Sequence, residues 1–441
     1  MTAPTRILIV APAWIGDAVI SQPLLTLLCR RNPAVVIDVL APSWVGPIYQ
    51  RMPEVSEVIA SPFAHGELAW GRRRAVAAAV KAKRYRRCIV LPNSLKSALI
   101  PWLAGIPLRT GYVGEQRFGL LNDRRKLDVG RFPRLVDRFA ALALPAGDDL
   151  PPTLPDPSLR IDGANQAIAQ ARLGLRSDRP IVALCPGAEY GPAKRWPAVY
   201  YGEIAAGMLA QHRHVWIFGS ARDAEIGAAI VTLAPSAINL CGRTGLADAI
   251  DLLALADRVL TNDSGLMHVA AAVGSRVIAL FGSSTPDYTP PLSPRATTIS
   301  LKLECSPCFA RVCPLGHTNC LVQMKPQRIL RNPVDDVPQL GLEFVGEPAG
   351  DFPVVGKRLL DVRPHLRMIN HFHVARSRST EAQNSSELRG RTRPESSSSR
   401  RRAASAIPSA LASSPPWGGS DSMSQAARVP RSTAGRSETA C

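Results

Sequence analysis

Short aliphatic runs alternate along the chain with longer stretches of helical periodicity, and the alternation occurs in two successive blocks. The first block has its runs at residues 6–10, 35–40 and 88–91. The second block has them at residues 181–185, 214–218, 237–240, 258–261 and 276–281. Such alternation is typical of parallel sheets whose strands are connected by crossover helices. We therefore predict an α/β protein with two doubly wound units facing a central cleft.

The same pattern indicates where these units end. A proline-rich stretch at residues 151–157 is typical of a linker. After residue 345 the periodic apolar positions give way to Ser/Arg-rich sequence. We predict an N-terminal domain over residues 1–152, a second domain over residues 178–345 and a low-complexity, disordered tail over residues 346–441.

The chain is strongly basic, with 53 Lys and Arg against 35 Asp and Glu, a formal charge of +18. Residues 351–441 hold 15 basic and 7 acidic residues, so +8 lies there and +10 remains on residues 1–350. This balance favours an anionic partner, which is nucleic acid, a phosphorylated glycolipid or an acidic membrane surface. Nucleic acid is disfavoured, because only 5% of the residues are aromatic and no stacking motif occurs.

The apolar segments are too short for a membrane span, which needs roughly 18 consecutive apolar residues. The apolar start of the chain ends at Gly16-Asp17, as expected of a buried strand rather than a signal peptide. We therefore expect a cytoplasmic protein, soluble or peripheral to a membrane, whose nine cysteines stay mostly reduced.

Asp17 follows the first predicted strand, in a glycine-containing turn that begins a helix. A carboxylate at the carboxyl end of a parallel strand projects toward the ligand cleft. There it can act as a general base that removes a proton from an acceptor hydroxyl. The alternative is an acidic residue favoured at this place by the helix dipole.

Residues 186–197 directly follow a buried strand and combine glycines with basic side chains. Gly187 and Gly191 let the backbone approach a ligand closely, and Lys194 and Arg195 add positive charge. The segment is therefore a candidate cradle for a diphosphate, with Gly187, Ala188 and Lys194 as donor contacts. It matches neither a P-loop nor a dinucleotide-binding fingerprint. A purely structural basic loop is the alternative.

Residues 261–268 are the most informative segment, a strand end followed by a helix of small residues. The N–H groups of Ser264 and Gly265 favour an anion at the helix start, and His268 lies about one turn further along. Asp263 is then placed to bind sugar hydroxyls beside the diphosphate. The alternative is an ordinary N-cap followed by a core-facing histidine.

Another strand end, at residues 218–225, offers two carboxylates that can accept hydrogen bonds from ribose hydroxyls, Asp223 and Glu225. The sequence does not choose between them. A capping box between Ser220 and Asp223 is the more common explanation of this pattern.

Two further features have both a functional and a structural interpretation. Cys305, Cys308, Cys313 and Cys320 lie within sixteen residues and close to a histidine. Their Cys-x-x-Cys pair permits zinc, but the other gaps favour a reduced structural cluster. The basic amphipathic stretch at residues 70–87 could contact anionic lipid, although a solvated helix face is more common.

Taken together, these segments resemble the lipopolysaccharide heptosyltransferase family, glycosyltransferase family 9, and within it the ADP-heptose:lipopolysaccharide heptosyltransferase II branch. The likeness covers about residues 6–325. It is carried by Trp14-Ile-Gly-Asp17, Cys185-Pro-Gly-Ala-Glu-Tyr-Gly-Pro-Ala-Lys-Arg-Trp-Pro197, Thr261-Asn-Asp-Ser-Gly-Leu-Met-His268, Phe281-Gly-Ser-Ser-Thr-Pro286 and the segment from Cys305 to His317.

The resemblance implies a GT-B architecture, in which one Rossmann-like domain binds mainly the acceptor and the other mainly ADP-heptose. It implies inversion at the anomeric carbon without a metal ion or other cofactor, in agreement with the absence of an Asp-x-Asp motif from the sequence. The implied acceptor is a Kdo-lipid A that already bears one heptose, at the cytoplasmic face of the inner membrane.

The resemblance also implies roles for single residues. Asp17 is then the catalytic base, Lys194 a phosphate contact, and the sugar-diphosphate pocket contains Asp263, Ser264, Gly265 and His268. Lys96, Arg109 and Arg117 are candidate acceptor contacts on charge and location alone. Two alternatives stay open: a heptosyltransferase of the same family that adds the first or a later heptose, and an inactive protein that only binds nucleotide sugar.

Overall fold

Two six-stranded sheets form the framework of the protein. The computed structural model describes residues 5–63 and 67–330, all within one compact unit. The first sheet contains β1 (Arg6–Val10), β2 (Val36–Pro42), β3 (Val55–Ser61), β4 (Arg87–Val90), β5 (Leu108–Tyr112) and β6 (Asp123–Arg125). The second contains β7 (Ile181–Cys185), β8 (His214–Ile217), β9 (Ile238–Asn239), β10 (Arg258–Asn262), β11 (Arg276–Phe281) and β12 (Ala296–Ser300).

Helices connect these strands. The first sheet is accompanied by α1 (Ile15–Ile20), α2 (Gln22–Arg31), α3 (Gly46–Gln50), α4 (Trp70–Ala82), α5 (Leu95–Leu103) and α6 (Leu135–Ala141). The second is accompanied by α7 (Gly163–Leu173), α8 (Ala198–Ala210), α9 (Ala224–Leu233), α10 (Leu246–Leu253), α11 (Gly265–Ala272), α12 (Asn319–Val322) and α13 (Pro326–Leu330), and by 3-10 turns at Pro192–Lys194 and Ala221–Asp223. We call the first sheet with its helices the first lobe, and the second sheet with its helices the second lobe. None of these helices combines the length and apolar character that crossing a bilayer requires.

Both sheets have the same doubly wound topology. Their strand orders are β3-β2-β1-β4-β5-β6 and β12-β11-β10-β7-β8-β9, and every neighbouring pair is parallel. The chain reverses its direction of winding between β1 and β4 and between β7 and β10. In such folds ligands bind beyond the carboxyl ends of the strands at this reversal.

Burial explains why these runs form central strands. All five residues of β7 are buried, and so are four of the five in β1. A parallel strand covered by helices on both faces is apolar throughout its length. One cluster of buried apolar residues extends from Ile7 in the first lobe to Phe281 in the second, so the two lobes share a continuous core. The α/β fold with two facing doubly wound units is therefore confirmed.

The domain limits at residues 1–152 and 178–345 stay predictions. Residues 151–157 contain no helix or strand, as expected of a linker. The predicted tail at residues 346–441 lies outside the described residues.

A buried ion pair ties the lobes together beside the linker. Asp251 on α10 is fully buried, and its Oδ2 accepts a hydrogen bond of 2.7 Å from Arg51 Nη2 of the first lobe. Its carboxylate also accepts from the backbone N–H of Asp162 at 2.9 Å and from Asn165 Nδ2 at 2.8 Å. The first lobe is thus bonded to the start of α7 through a single carboxylate.

We predict that Arg51→Ala lowers the free energy of unfolding by about 3 kcal/mol, because it leaves the Asp251 charge buried without its counter-ion. Denaturant titration followed by circular dichroism measures the change. Arg213→Ala is the control, since Arg213 pairs with Asp257 at 3.0 Å where both side chains are partly exposed. That loss should stay below about 1 kcal/mol. Equal losses in the two variants would contradict a special role for the buried pair.

Candidate active site

Three strand ends bring charged residues to the space between the lobes. Asp17 lies in the first turn of α1, after β1. Lys194 ends the 3-10 turn after β7, and Asp263 directly follows β10. These strands are the ones at which the strand order reverses. The charges of Lys194 and Asp263 are close enough to change the pKa of Asp17. Asp17 of the first lobe therefore lies close to Lys194 and Asp263 of the second.

Lys194 and Asp263 form an ion pair in this site. Lys194 Nζ contacts Asp263 Oδ2, and Ser284 Oγ donates a hydrogen bond of 2.5 Å to the same oxygen. The Lys194 ammonium also lies 5.0 Å from the ring centroid of Tyr190. The lysine is thus fixed by a carboxylate and an aromatic face, while its side chain remains 17% exposed.

Asn262 fixes the loop that carries this lysine. It is fully buried, and its Oδ1 accepts from Trp196 N at 3.1 Å and from Tyr201 Oη at 3.0 Å. Its Nδ2 donates to the carbonyl oxygen of Pro186 at 2.6 Å. Both ends of the segment 186–196 are therefore attached to the end of β10, next to Asp263.

Asp17 is a weaker acid than an ordinary aspartate. Burial raises its pKa to about 7, the positive charge of Lys194 acts in the opposite direction, and the negative charge of Asp263 adds to the increase. A carboxylate with a pKa near neutrality can accept a proton and release it again under physiological conditions. This property suits a general base.

The first residues of α1 and α11 are in direct contact. A Cβ atom at Gly16 would lie 2.7 Å from His268 Cδ2, and one at Gly265 would lie 2.9 Å from Ile15 Cβ. Only glycine permits this approach, which places two helix N-termini, each with partial positive charge, side by side. Such an arrangement favours an anion.

Ser264 does not behave as the ordinary N-cap, and His268 does not lie in the core of one lobe, as the structural alternative would have them. The Ser264 side chain makes no hydrogen bond to the N–H groups of α11, and its Oγ lies 3.4 Å from Thr261 Oγ1. His268 is buried where the two lobes meet, and burial lowers its pKa to about 4. The imidazole is therefore neutral at pH 7.

Asp223 forms the capping box. Its Oδ2 accepts from Ser220 N at 2.9 Å and from Ser220 Oγ at 2.7 Å. A Cβ at Gly187 would lie 2.6 Å from the same oxygen, and Ala188 is buried. The geometry thus gives Asp223 a supporting role beneath the loop, whereas Glu225 is exposed at the start of α9. Ribose contact by either residue stays a prediction.

In the part of the chain that the structure describes, no group of three or more His, Cys, Asp or Glu could hold a metal ion. None of the described cysteines, including the four between residues 305 and 320, forms a disulfide.

Comparison with known proteins assigns the chain to a family. The family model described as Glycosyltransferase family 9 (heptosyltransferase) matches residues 73–319. Lipopolysaccharide heptosyltransferase 2 of Salmonella typhimurium is 44% identical over 335 residues, which are 74% of this chain and 96% of the relative. The chain belongs to glycosyltransferase family 9.

Other members of glycosyltransferase family 9 agree with this assignment. Lipooligosaccharide heptosyltransferase 2 of Haemophilus influenzae is 44% identical over 310 residues, 67% of this chain and 88% of the relative. The solved structure of Escherichia coli ADP-heptose LPS heptosyltransferase II has 42% identity and a TM-score of 0.67, covering 74% of this chain and 96% of that one. The protein is a glycosyltransferase with the GT-B fold that the sequence predicted.

The three candidate acceptor contacts lie in the first lobe, and two of them point into it. Arg117 is buried and donates to the carbonyl oxygens of Pro92, at 2.7 Å, and Tyr112. Burial lowers its pKa to about 10. Arg109 Nε donates to the carbonyl oxygen of Leu120 at 2.7 Å. These contacts favour structural roles.

Lys96 is partly exposed at the start of α5. Contact between the acceptor and any of these three residues stays a prediction.

Sequence reasoning missed three site residues, Asn262, Ser284 and Tyr288. Ser284 follows β11, so the strand-end rule that found Asp263 could have found it. Tyr288 extends from the second lobe to α6. Its carbonyl oxygen accepts from Leu135 N at 3.0 Å, and the Arg138 guanidinium lies 4.8 Å from its ring centroid. Nothing in the sequence around Tyr288 signals this contact.

We predict that Gly16→Ala reduces kcat/KM at least tenfold, because the added methyl overlaps the His268 ring and separates the two helix starts. Initial rates of sugar transfer measure the effect. Gly207→Ala on α8 is the matched control, since a Cβ there meets nothing within 4 Å. The same small loss in both variants would show that the contact between α1 and α11 is unimportant for transfer.

Proposed function

We propose that this glycosyltransferase moves L-glycero-D-manno-heptose from ADP-heptose to the first heptose of the lipopolysaccharide inner core, heptosyl-Kdo2-lipid A. The main observation in support is the position of Asp17 on one lobe opposite the Lys194–Asp263 pair on the other. The relatives that are 44% identical carry the name heptosyltransferase 2, which favours the second heptose over the first or a later one.

The donor diphosphate is bound in this proposal by Lys194 and by the N–H groups at the start of α11, Ser264 and Gly265. Positive charge fixed before the reaction stabilises the negative charge that develops on the departing ADP. Asp263 accepts hydrogen bonds from Lys194 and Ser284. In this proposal its carboxylate also accepts hydrogen bonds from hydroxyl groups of the sugar. His268, neutral and buried beside Gly16, offers a ring N–H to the same pocket.

Asp17 completes the reaction as the general base. It removes the proton from the acceptor hydroxyl while the oxygen attacks the anomeric carbon and the bond from this carbon to the diphosphate breaks. Attack from the first lobe, opposite the leaving group on the second, inverts the configuration in a single displacement. The elevated pKa of Asp17 gives the carboxylate enough basicity for this role near neutral pH.

Membrane association forms the last part of the proposal. Five basic residues on α4 and in the turn after it are exposed, Arg72, Arg74, Lys81, Arg84 and Arg86. Trp70, at the start of the same helix, is 51% exposed. Basic side chains beside an exposed tryptophan suit the anionic cytoplasmic face of the inner membrane, where the acceptor lipid would be presented.

The decisive experiment incubates the protein with ADP-heptose and each of three acceptors: Kdo2-lipid A, its monoheptosylated form and its diheptosylated form. Mass spectrometry of the lipid reads the product. We expect one heptose to be added to the monoheptosylated acceptor only. Transfer to either of the others would assign a different step, and no transfer to any acceptor with retained ADP binding would indicate a binding protein.

We predict that Asp17→Asn lowers kcat by about 10²- to 10⁴-fold, since the amide cannot accept the proton. ADP affinity, measured by calorimetry, should stay the same or increase slightly because a negative charge near the diphosphate is removed. A variant that keeps the wild-type kcat would refute the assignment of the base.

The pH dependence provides the control for this assignment. Because the Asp17 pKa is raised to about 7 and only the ionised form is active, kcat/KM of the wild type should fall as the pH decreases through 7. Asp263→Asn removes a negative charge that raises this pKa, so its acid limb should move to lower pH. An acid limb that stays in place would exclude Asp17 as the titrating group.

We predict that Lys194→Met weakens ADP binding about tenfold, equivalent to roughly 1.4 kcal/mol. The lost interaction is a charge-assisted contact with the diphosphate. Lys325→Met is the matched control, because it removes the same charge from a lysine that contacts Tyr200 elsewhere on the second lobe. Calorimetry should show wild-type affinity for ADP in Lys325→Met. Equal ADP affinities of the two variants would show that Lys194 does not contact the nucleotide.

A further inference from the structure

Four cysteines that the proposed reaction does not use line one small cavity. Cys305, Cys308, Cys313 and Cys320 contribute to the wall of this cavity, whose volume is about 20 Å³. All four are free thiols, Cys320 is buried, and the other three are exposed or partly exposed. The chain folds four thiols from a sixteen-residue segment around one space that small oxidants can reach.

Cys313 differs from the other three. Backbone hydrogen bonding, chiefly with Thr318, lowers the pKa of the Cys313 thiol. A thiolate is the nucleophilic form of cysteine. An accessible cysteine with a low pKa and another thiol within reach has the features of a redox-sensitive residue.

The cysteine segment also supports the loop that carries Lys194. Ala193 N donates to the carbonyl oxygen of Arg311 at 3.1 Å, and Tyr190 Oη donates to that of Phe309 at 2.6 Å. Phe309 N donates to the carbonyl oxygen of Ser283 at 2.7 Å. Ala193 and Ser283 line the same cavity as the thiols, and they directly precede Lys194 and Ser284 in the chain.

We propose that this cluster is a site of reversible oxidation, at which Cys313 and one of the three neighbouring cysteines form a disulfide in reaction with a peroxide. The Cys313 thiolate attacks one peroxide oxygen, the O–O bond breaks, and a sulfenic acid and hydroxide form. The second thiol attacks the sulfenic sulfur and expels the hydroxyl as water. In total two thiols and one hydrogen peroxide yield one disulfide and two water molecules.

The disulfide changes the donor site through the backbone. Two sulfurs that line the cavity must approach to about 2.05 Å. The segment 309–311 moves with them, and its hydrogen bonds transmit the movement to Tyr190 and Ala193. The expected consequence, which rests on the proposed binding of ADP beside Lys194, is a lower affinity for ADP in the oxidised protein.

The test treats the full-length reduced protein with hydrogen peroxide, blocks remaining thiols by alkylation and maps disulfides by mass spectrometry. We expect a disulfide that contains Cys313, a mass lower by two hydrogens and full reversal by dithiothreitol. Cys313→Ser should prevent it, whereas Cys29→Ser, which changes a partly buried thiol outside the cavity, should not. Circular dichroism of both variants verifies that they are folded.

Calorimetry with ADP then compares the oxidised and reduced wild-type proteins. We expect at least threefold weaker binding after oxidation and recovery after reduction. A disulfide without Cys313, no disulfide at all, or one equivalent of zinc that protects all four thiols in the purified protein would overturn the oxidation site.

Unchanged ADP affinity in the oxidised protein would overturn the coupling to the donor site. Failure of the reduced protein to bind ADP would instead refute the proposed function, and the disulfide mapping would still decide whether the thiol chemistry occurs.

Discussion

The contact between the N-termini of α1 and α11 is the constraint on which the rest of the site depends. Each helix belongs to a different lobe, and each begins directly after a central strand. Because Gly16 and Gly265 have no side chains, the two helix starts touch, and Asp17 comes within electrostatic range of Lys194 and Asp263. A wider separation would leave the proposed base on one lobe and the proposed diphosphate site on the other, without a common substrate position.

Much of the fold follows from apolar patterning. The runs at residues 6–10 and 181–185 predicted β1 and β7 correctly, because central strands are buried on both faces. Edge strands were harder to predict. β3 is only partly buried and has no more than three consecutive apolar residues, Val58, Ile59 and Ala60. β6 consists of Asp123, Arg124 and Arg125 and has none. These strands exist because the neighbouring strand supplies hydrogen-bond partners, and local sequence does not report that.

The site was predictable to the extent that it follows from topology. The rule that ligands bind beyond strand ends identified Asp17, Lys194 and Asp263 as candidates, and the structure brings them together. The rule does not predict which way a side chain points within its lobe. Arg109 and Arg117 have suitable charge, yet their guanidinium groups donate hydrogen bonds to nearby carbonyl oxygens. Asn262 was missed for the complementary reason, since its importance comes from partners 61 to 76 residues away in the chain.

The attachment of the segment 186–196 at both ends has a consequence for the thermodynamics of the proposed donor recognition. Fixing one residue of a free loop costs roughly 1–2 kcal/mol of backbone conformational entropy at room temperature. Here the folding of the second lobe has already ordered the loop, through the side chain of Asn262. In the proposed function, a nucleotide that binds here contacts a loop that is already ordered. The favourable energy of its contacts then contributes to affinity, because the chain needs no further ordering.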